Sequence, residues 1–336
     1  MELFELIRRL IDIESISGNE AKVGEFLFDH LSKLAVRYAG RAERMDVEPG
    51  RFNVFARWGE PTVTLSTHMD TVPPFLASRV DEEHIWGRGS CDAKGIMGAM
   101  IAAAERLLEE GARNFALLFV VGEERNSAGA LAAAKQPRGS RYLINGEPTE
   151  NKVAVGAKGA LRYEITARGR TAHSAYPELG ESAIEKLLDA LGAIRQIPLP
   201  EDAVLGRSTL NIGTISGGHA PNVIPDLARA EIMFRLVADA APIRAAMSRA
   251  AAGRAELREV LHTPAARLGA FDGLPTTVVA YTTDIPILGA AWGKPFLVGP
   301  GSIDLAHTAE ERVPKRQLLD AAELYRKMVT RLSASA

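Results

Sequence analysis

The chain has 336 residues, of which 46% are hydrophobic and 24% charged, with a net charge of −2. That is enough to bury a substantial core and suits two domains, and it gives no electrostatic case for nucleic acid or an anionic membrane as a partner. Its single cysteine, Cys91, excludes an intrachain disulfide and fits a reducing compartment.

The N-terminal stretch Met1–Leu10 is amphipathic with mixed charges and lacks the unbroken apolar run of a signal peptide. The longest low-charge stretch, Gly95 to Ala104, is too short to cross a bilayer. The expected location is therefore cytoplasmic. Apolar spacing predicts helices over residues 2–12 and 19–36, then strands over Phe52–Trp58 and Thr62–Ser66. A helix follows at Gly95–Glu109, with Ile96, Met100, Ile101, Ala104, Leu107 and Leu108 on one face. Phe115–Val121 is a continuous apolar run, as in a strand buried on both faces. A short helix at Ser127–Ala134 and a strand at Tyr142–Ile144 complete the first third. This alternation implies an α/β fold with a mainly parallel sheet flanked by helices and with sites at the strands' carboxyl ends.

The middle of the chain reads as β-α-β-β-α-β: Ala160–Arg168, Glu181–Ile194, Ser208–Ile215, Asp226–Leu236, Asp239–Ala252 and Glu256–His262. That is the ferredoxin-like plan. After Pro264 the α/β pattern resumes with Thr276–Tyr281, Pro295–Val298 and a closing helix at Lys315–Leu332. The expected domains are thus residues 1–158 with 264–336, and an inserted domain at 159–263.

Acidic and histidine clusters follow the strand-like runs: His68-Met69-Asp70, Asp92, Glu123-Glu124, Glu147 and His307, each crowded by glycine or proline. Imidazole and carboxylate on converging strand-end loops are what a catalytic zinc centre requires. Each motif alone has a plainer reading. His-x-Asp also describes a polar turn, Asp92 a helix N-cap, and Glu123-Glu124 a solvated strand end. Cys91 reads as a small buried thiol. Two adjacent carboxylates after a buried strand are costly unless a positive charge neutralises them.

As an ordered set, these residues resemble the family of co-catalytic di-zinc deacylases and exopeptidases that includes acetylornithine deacetylase, succinyl-diaminopimelate desuccinylase, aminoacylase and the glutamate carboxypeptidases. The matching stretches are Ser66–Pro73, Gly87–Gly95, Gly122–Glu124, Asn145–Pro148, Gly169–Ser174, Pro221–Pro225 and Gly299–His307. The resemblance implies a zinc-exopeptidase-type sheet domain with an inserted ferredoxin-like dimerisation domain. It implies that His68 and Glu147 hold one Zn²⁺, Glu124 and His307 the other, that Asp92 bridges both, and that Asp70 orients His68. Co²⁺ or Mn²⁺ would suit the same ligands. Glu123 would take the proton from the attacking water and return it to the leaving amine.

His173 would stabilise the oxyanion from the partner subunit of a homodimer, although a solvated loop histidine is the plainer reading. Arg235 and Asn222 would grip a substrate α-carboxylate, although Arg235 also has a plainer reading as a surface arginine. His219 stays undecided. The leading activity is hydrolysis of an N-acyl amino acid, most like acetylornithine deacetylase. The alternatives are release of lysine or ornithine from an acidic carrier protein, succinyl-diaminopimelate desuccinylation, dipeptide or carboxypeptide hydrolysis, and a binding module on an inactive scaffold.

Overall fold

The computed structural model describes residues 1–335 and divides them into two compact units. The first comprises Met1–Val155, Leu268–Thr277 and Thr283–Ala336, the second Gly156–Arg267 and Val278–Thr282. The insertion thus begins three residues earlier and ends four residues later than the sequence suggests, and it recruits residues 278–282. The reason lies in the connecting strands. Gly156 and Ala157 pair with Arg267 and Ala266, and the Lys158 N–H donates to Val279 O at 3.0 Å, so the crossover segments are zipped together.

In the first unit, α1 (Leu3–Asp12) and α2 (Ala21–Arg37) precede β1 (Arg41–Glu48), β2 (Arg51–Trp58) and β3 (Val63–His68). Then come α3 (Lys94–Glu109), β4 (Phe115–Val120), α4 (Ala128–Ala134), β5 (Tyr142–Asn145) and β6 (Val153–Ala157). The sheet order is β1-β2-β4-β3-β5, continued by the later strand Lys294–Leu297 and then β6. β4, β3, β5 and Lys294–Leu297 run parallel, and β1 and β2 are antiparallel at one edge. Every residue of β3 and β4 is buried, as parallel strands covered on both faces require. β3 and β4 end at His68 and just before the Glu123 turn, and β5 ends just before Glu147. The carboxyl ends of neighbouring parallel strands therefore deliver the acidic and histidine motifs to one edge of the sheet.

Several elements escape the sequence pattern, β6 (Val153–Ala157) among them. β1, Arg-Ala-Glu-Arg-Met-Asp-Val-Glu, buries only Met45 and so carries no apolar alternation. The helix Ile285–Trp292 has a proline in its first turn and reads locally as an apolar strand-like run, yet it buries Leu288 and Trp292 against the sheet.

In the second unit, β7 (Gly159–Arg168), α5 (Ala183–Arg195), β8 (Thr209–Gly217), β9 (Leu227–Leu236), α6 (Ala241–Ala251) and β10 (Glu256–Thr263) form a four-stranded antiparallel sheet of order β8-β9-β7-β10. One face alternates inward: Leu161, Tyr163, Ile165 and Ala167 pack with Leu187, Leu191 and Ile194 of α5 and with Ile243 and Met247 of α6. The order of elements and the pairing are those of a ferredoxin-like domain. Among the described residues, no helix is long and apolar enough to cross a membrane.

Candidate metal centre

His68 is the last residue of β3 and is 1% exposed. Its Nδ1 lies 3.0 Å from the Asp70 carbonyl oxygen and 3.5 Å from Asp70 Oδ1, so the nearer orienting group is the backbone. The Asp70 carboxylate is used chiefly elsewhere. It accepts the Ser17 hydroxyl at 2.6 Å and the backbone N–H groups of Glu123 and Glu124 at 3.1 and 3.2 Å. One buried aspartate thus fastens the turn after β4 to the turn after β3.

His68 Nε2 meets Asp92 Oδ1 at 2.9 Å. The other Asp92 oxygen, Oδ2, lies 3.4 Å from His307 Nε2, which is itself 2.9 Å from Glu124 Oε1. Ligand atoms of His68, Asp92 and Glu124 all fall within 4.8 Å of one another. Asp92 does not cap α3: the N-cap residue is Ala93, without a side-chain cap. Glu147 is 4% exposed and its Oε1 has no hydrogen-bond partner. The turn that carries it is held by the Thr67 hydroxyl, which donates to Gly146 O at 2.9 Å, and by the Gly146 N–H, which donates to Ser66 O at 2.8 Å.

The electrostatics are those of a cluster rich in acidic groups. Asp70, Asp92, Glu123, Glu124 and Glu147 set five carboxylates against the imidazoles of His68 and His307. Burial, then the charge of Glu147, pushes Glu123 well above the usual carboxylate range. Burial, then Asp92, does the same to Glu147. The Asp92 hydrogen bond, helped by Glu124, raises His307 to about 10. Burial opposes the charging of His68, but its bonds to Asp70 and Asp92 outweigh it and hold the ring well above its ordinary value. A carboxylate bridging two imidazoles, an orphaned buried glutamate oxygen and an excess of anionic oxygen donors fit divalent cations with mixed N/O ligation.

Several residues that hold this centre gave no sequence signal of their own. Ser17, Arg88, Lys94 and Glu311 are short-motif or turn residues whose partners lie far away in sequence. Lys94 is 1% exposed, donates to Ile13 O at 2.6 Å, and is lowered to about 7 by burial. Asp284, just before the helix Ile285–Trp292, is raised to about 6 by burial. The acid and lysine of Asp92-Ala93-Lys94-Gly95 are legible as a motif, but the lysine's target is not.

The remaining sequence-derived candidates belong to the second unit. His173 is exposed in a two-residue strand, Ala172–His173, paired with Val223–Ile224, and its Nδ1 accepts the Ala175 N–H at 3.1 Å. The Ser174 N–H donates to Asn222 O at 3.0 Å, which puts His173 and Asn222 on adjoining turns. His219, in the same turn as Asn222, bonds Asp226 at 2.9 Å. Arg235 lies on β9, opposite Thr209 on one side and Ala160 on the other. Its guanidinium is lowered by burial alone, with no acidic side chain acting on it.

The parallel strand ends, the aspartate set between two imidazoles and the anionic donor set suit a metal-dependent enzyme. The chain matches Peptidase family M20/M25/M40 over residues 64–331. It is 39% identical to a Peptidase M20 domain-containing protein of Schizosaccharomyces pombe, over 97% of this chain and 84% of that protein. It is 37% identical to a probable carboxypeptidase of Aspergillus oryzae, over 96% of this chain and 85% of that protein. Its fold is shared with an M20 family metallo-carboxypeptidase of Sulfolobus solfataricus, at a TM-score of 0.80 and 16% identity over 98% of each chain. The chain belongs to peptidase family M20/M25/M40 and is a hydrolase of the metallopeptidase class.

Proposed function

We propose that this chain is a two-metal exopeptidase of carboxypeptidase type, cleaving an amide whose amine side is an amino acid with a free α-carboxylate. The acyl side is a peptide or a simple N-acyl group. The observation that carries the reading is Asp92, whose two oxygens face His68 and His307 separately at 2.9 and 3.4 Å. That is the disposition of a carboxylate shared by two cations. His68 and Glu147 would hold one ion, Glu124 and His307 the other, with zinc the best match to the donor set. The pair of ions would supply Lewis acidity to the scissile carbonyl and to a water.

The chain's own groups do the rest. Glu123 is not needed as a ligand and lies next to Glu124, so it takes the water's proton and returns it to the departing amine. Asp70 keeps the Glu123-Glu124 turn fixed while it does so. Arg235, a partly buried guanidinium without an acidic partner, and Asn222 receive the substrate carboxylate. By the family resemblance, the partner subunit's His173 would donate to the developing oxyanion.

The names of the curated relatives favour peptides over the acetylornithine expected from sequence. N-acetylornithine, N-succinyl-diaminopimelate and a lysine carried on an acidic protein contain the same bond and belong in the same panel. With zinc supplied, hydrolysis of C-terminal free acids and little hydrolysis of the matching C-terminal amides is the expected result. Equal rates on acids and amides, or no turnover of any member by the metal-loaded chain, would reject the proposal.

A further inference from the structure

Two loops that carry proposed metal ligands leave one end of a single short ribbon. The strand His84–Trp86 pairs antiparallel with Arg312–Pro314, and Trp86 lies opposite Arg312. Gly87–Asp92 continues from the first strand, and His307–Glu311 leads into the second. At that junction sit Arg88 and Glu311, 2% and 1% exposed.

Glu311 accepts the Arg88 guanidinium on Oε2. On Oε1 it gathers the backbone N–H groups of Gly89 at 2.8 Å and of Cys91 and Asp92 at 3.3 Å each. It therefore binds the backbone of the loop up to and including Asp92. Arg88 reaches the opposite way. It donates to the carbonyl oxygens of Thr308 at 3.2 Å and of His307 at 3.4 Å, and its Nε donates to Pro74 O at 3.2 Å. His307 has φ +65°, a left-handed conformation that a non-glycine residue keeps only when its surroundings fix it. The Asp92 loop also packs against the turn that precedes His307: a side chain at Gly301 would strike Cys91 Cβ at 2.5 Å.

We propose that the buried Arg88–Glu311 pair is a positioning device for the metal centre, locking the bridging Asp92 and the strained His307 into one mutual geometry before any cation arrives. The pair crosses over, since Glu311, from the His307 loop, holds the Asp92 backbone, while Arg88, from the Asp92 loop, holds the His307 carbonyl. Neither side chain is a ligand. Their effect falls on metal affinity, because groups that orient ligands set how much of the binding free energy is lost to ordering them. Burial of both charges explains why the pair must be kept whole: a guanidinium or carboxylate left alone there would be uncompensated.

This inference rests on the metal-ligand reading above, and the experiment separates the two. Titration calorimetry of Zn²⁺ and the visible spectrum of Co²⁺ are measured on metal-free wild type, Glu311→Gln and Arg88→Lys. Wild type should take up about two equivalents. Both variants should stay folded by circular dichroism, bind metal about 10–100-fold more weakly and show a shifted Co²⁺ spectrum. Glu311→Gln keeps the side chain's shape and an acceptor for the backbone. Arg88→Lys keeps the buried positive charge but loses the fork that reaches His307 and Thr308. If one variant fails to fold, the other still decides. Folded variants with wild-type affinity and spectrum overturn the positioning role while leaving the metal centre intact. A wild-type chain that takes up no metal overturns the centre itself, and this inference with it.

Discussion

Glu124 Oε1 and His307 Nε2 meet at 2.9 Å, although 183 residues of sequence, including the whole inserted unit, separate them. The contact joins two proposed metal ligands, and it depends on the last parallel strand returning to the sheet beside β5. Replacing His307 by alanine should therefore remove about one of two zinc equivalents and leave the ion held by His68 and Glu147. Elemental analysis of dialysed protein measures this. Retention of both equivalents would remove His307 from the ligand set.

Loading the centre should also stabilise the fold, because cations relieve the repulsion among Asp92, Glu123, Glu124 and Glu147. A ligand that binds only the native state stabilises it by about 2.7 kcal/mol at one hundred times its dissociation constant. Melting temperature should rise with added Zn²⁺ and fall with chelator. The dependence should be lost when Asp92 is replaced by alanine. A melting temperature indifferent to metal would mean that the cluster binds none.

The base assignment is tested by Glu123→Gln. The substitution preserves shape and leaves Asp70's hold on the backbone of residue 123 in place. Metal content and melting should be unchanged, while kcat falls about 10²–10⁴-fold. Glu124→Gln should weaken metal binding. Near-normal turnover in Glu123→Gln would transfer the proton to another group.

What the sequence revealed and what it hid separate along physical lines. The strand Phe115–Val120 was legible because it is buried on both faces and apolar throughout, whereas the equally buried β3 carries Thr64, Ser66, Thr67 and His68. The proposed ligands stood out as candidates because their motifs sit beside strand-like runs and turn-forming glycine or proline. β1 was hidden because an edge strand that buries only Met45 has no pattern to show. Ser17, Arg88, Lys94 and Glu311 were hidden because their significance lies in partners 53 to 223 residues away, which local spacing cannot report. Glycines were intermediate. Gly146 reads as a turn residue, but its role is a close approach: a Cβ there would lie 2.3 Å from Ile96 Cγ2 and 2.6 Å from Met100 Cε.

Gly146→Ala should accordingly do more than stiffen a turn. Overpacking of this kind costs about 1–3 kcal/mol, and relief can come by displacing the Gly146-Glu147 turn that carries a proposed ligand. Denaturant unfolding should show the loss, with weaker metal binding beside it. With Ile96→Ala, which removes the clashing Cγ2, the double variant should lose less than the sum of the two single losses in both measurements. Additive losses in the double variant would place the clash elsewhere.

Arg235→Ala tests the carboxylate site. A charge-assisted hydrogen bond contributes about 1.5–3 kcal/mol, so KM for free-acid substrates should rise about 10–150-fold. The change for the corresponding amides should be small, and kcat much less affected. Equal losses on acids and amides would make Arg235 a structural arginine.

The last prediction concerns assembly. In the second unit, the sheet order β8-β9-β7-β10 leaves β8 at an edge, with most of Thr209–Gly217 exposed and Ile215 57% exposed. An edge of that kind invites a two-fold copy. The family resemblance implies that each site is completed by the partner's His173. Chains carrying His173→Ala and chains carrying Glu123→Gln should each be inactive, for different reasons. Mixed and allowed to exchange, they should regain part of the activity, because one site of the mixed dimer combines an intact Glu123 with the partner's His173. Subunit exchange is verified by native mass spectrometry of isotopically distinguished chains. No recovery in a verified mixed dimer, or full activity in a chain shown by light scattering to be monomeric at the assay concentration, would exclude action in trans.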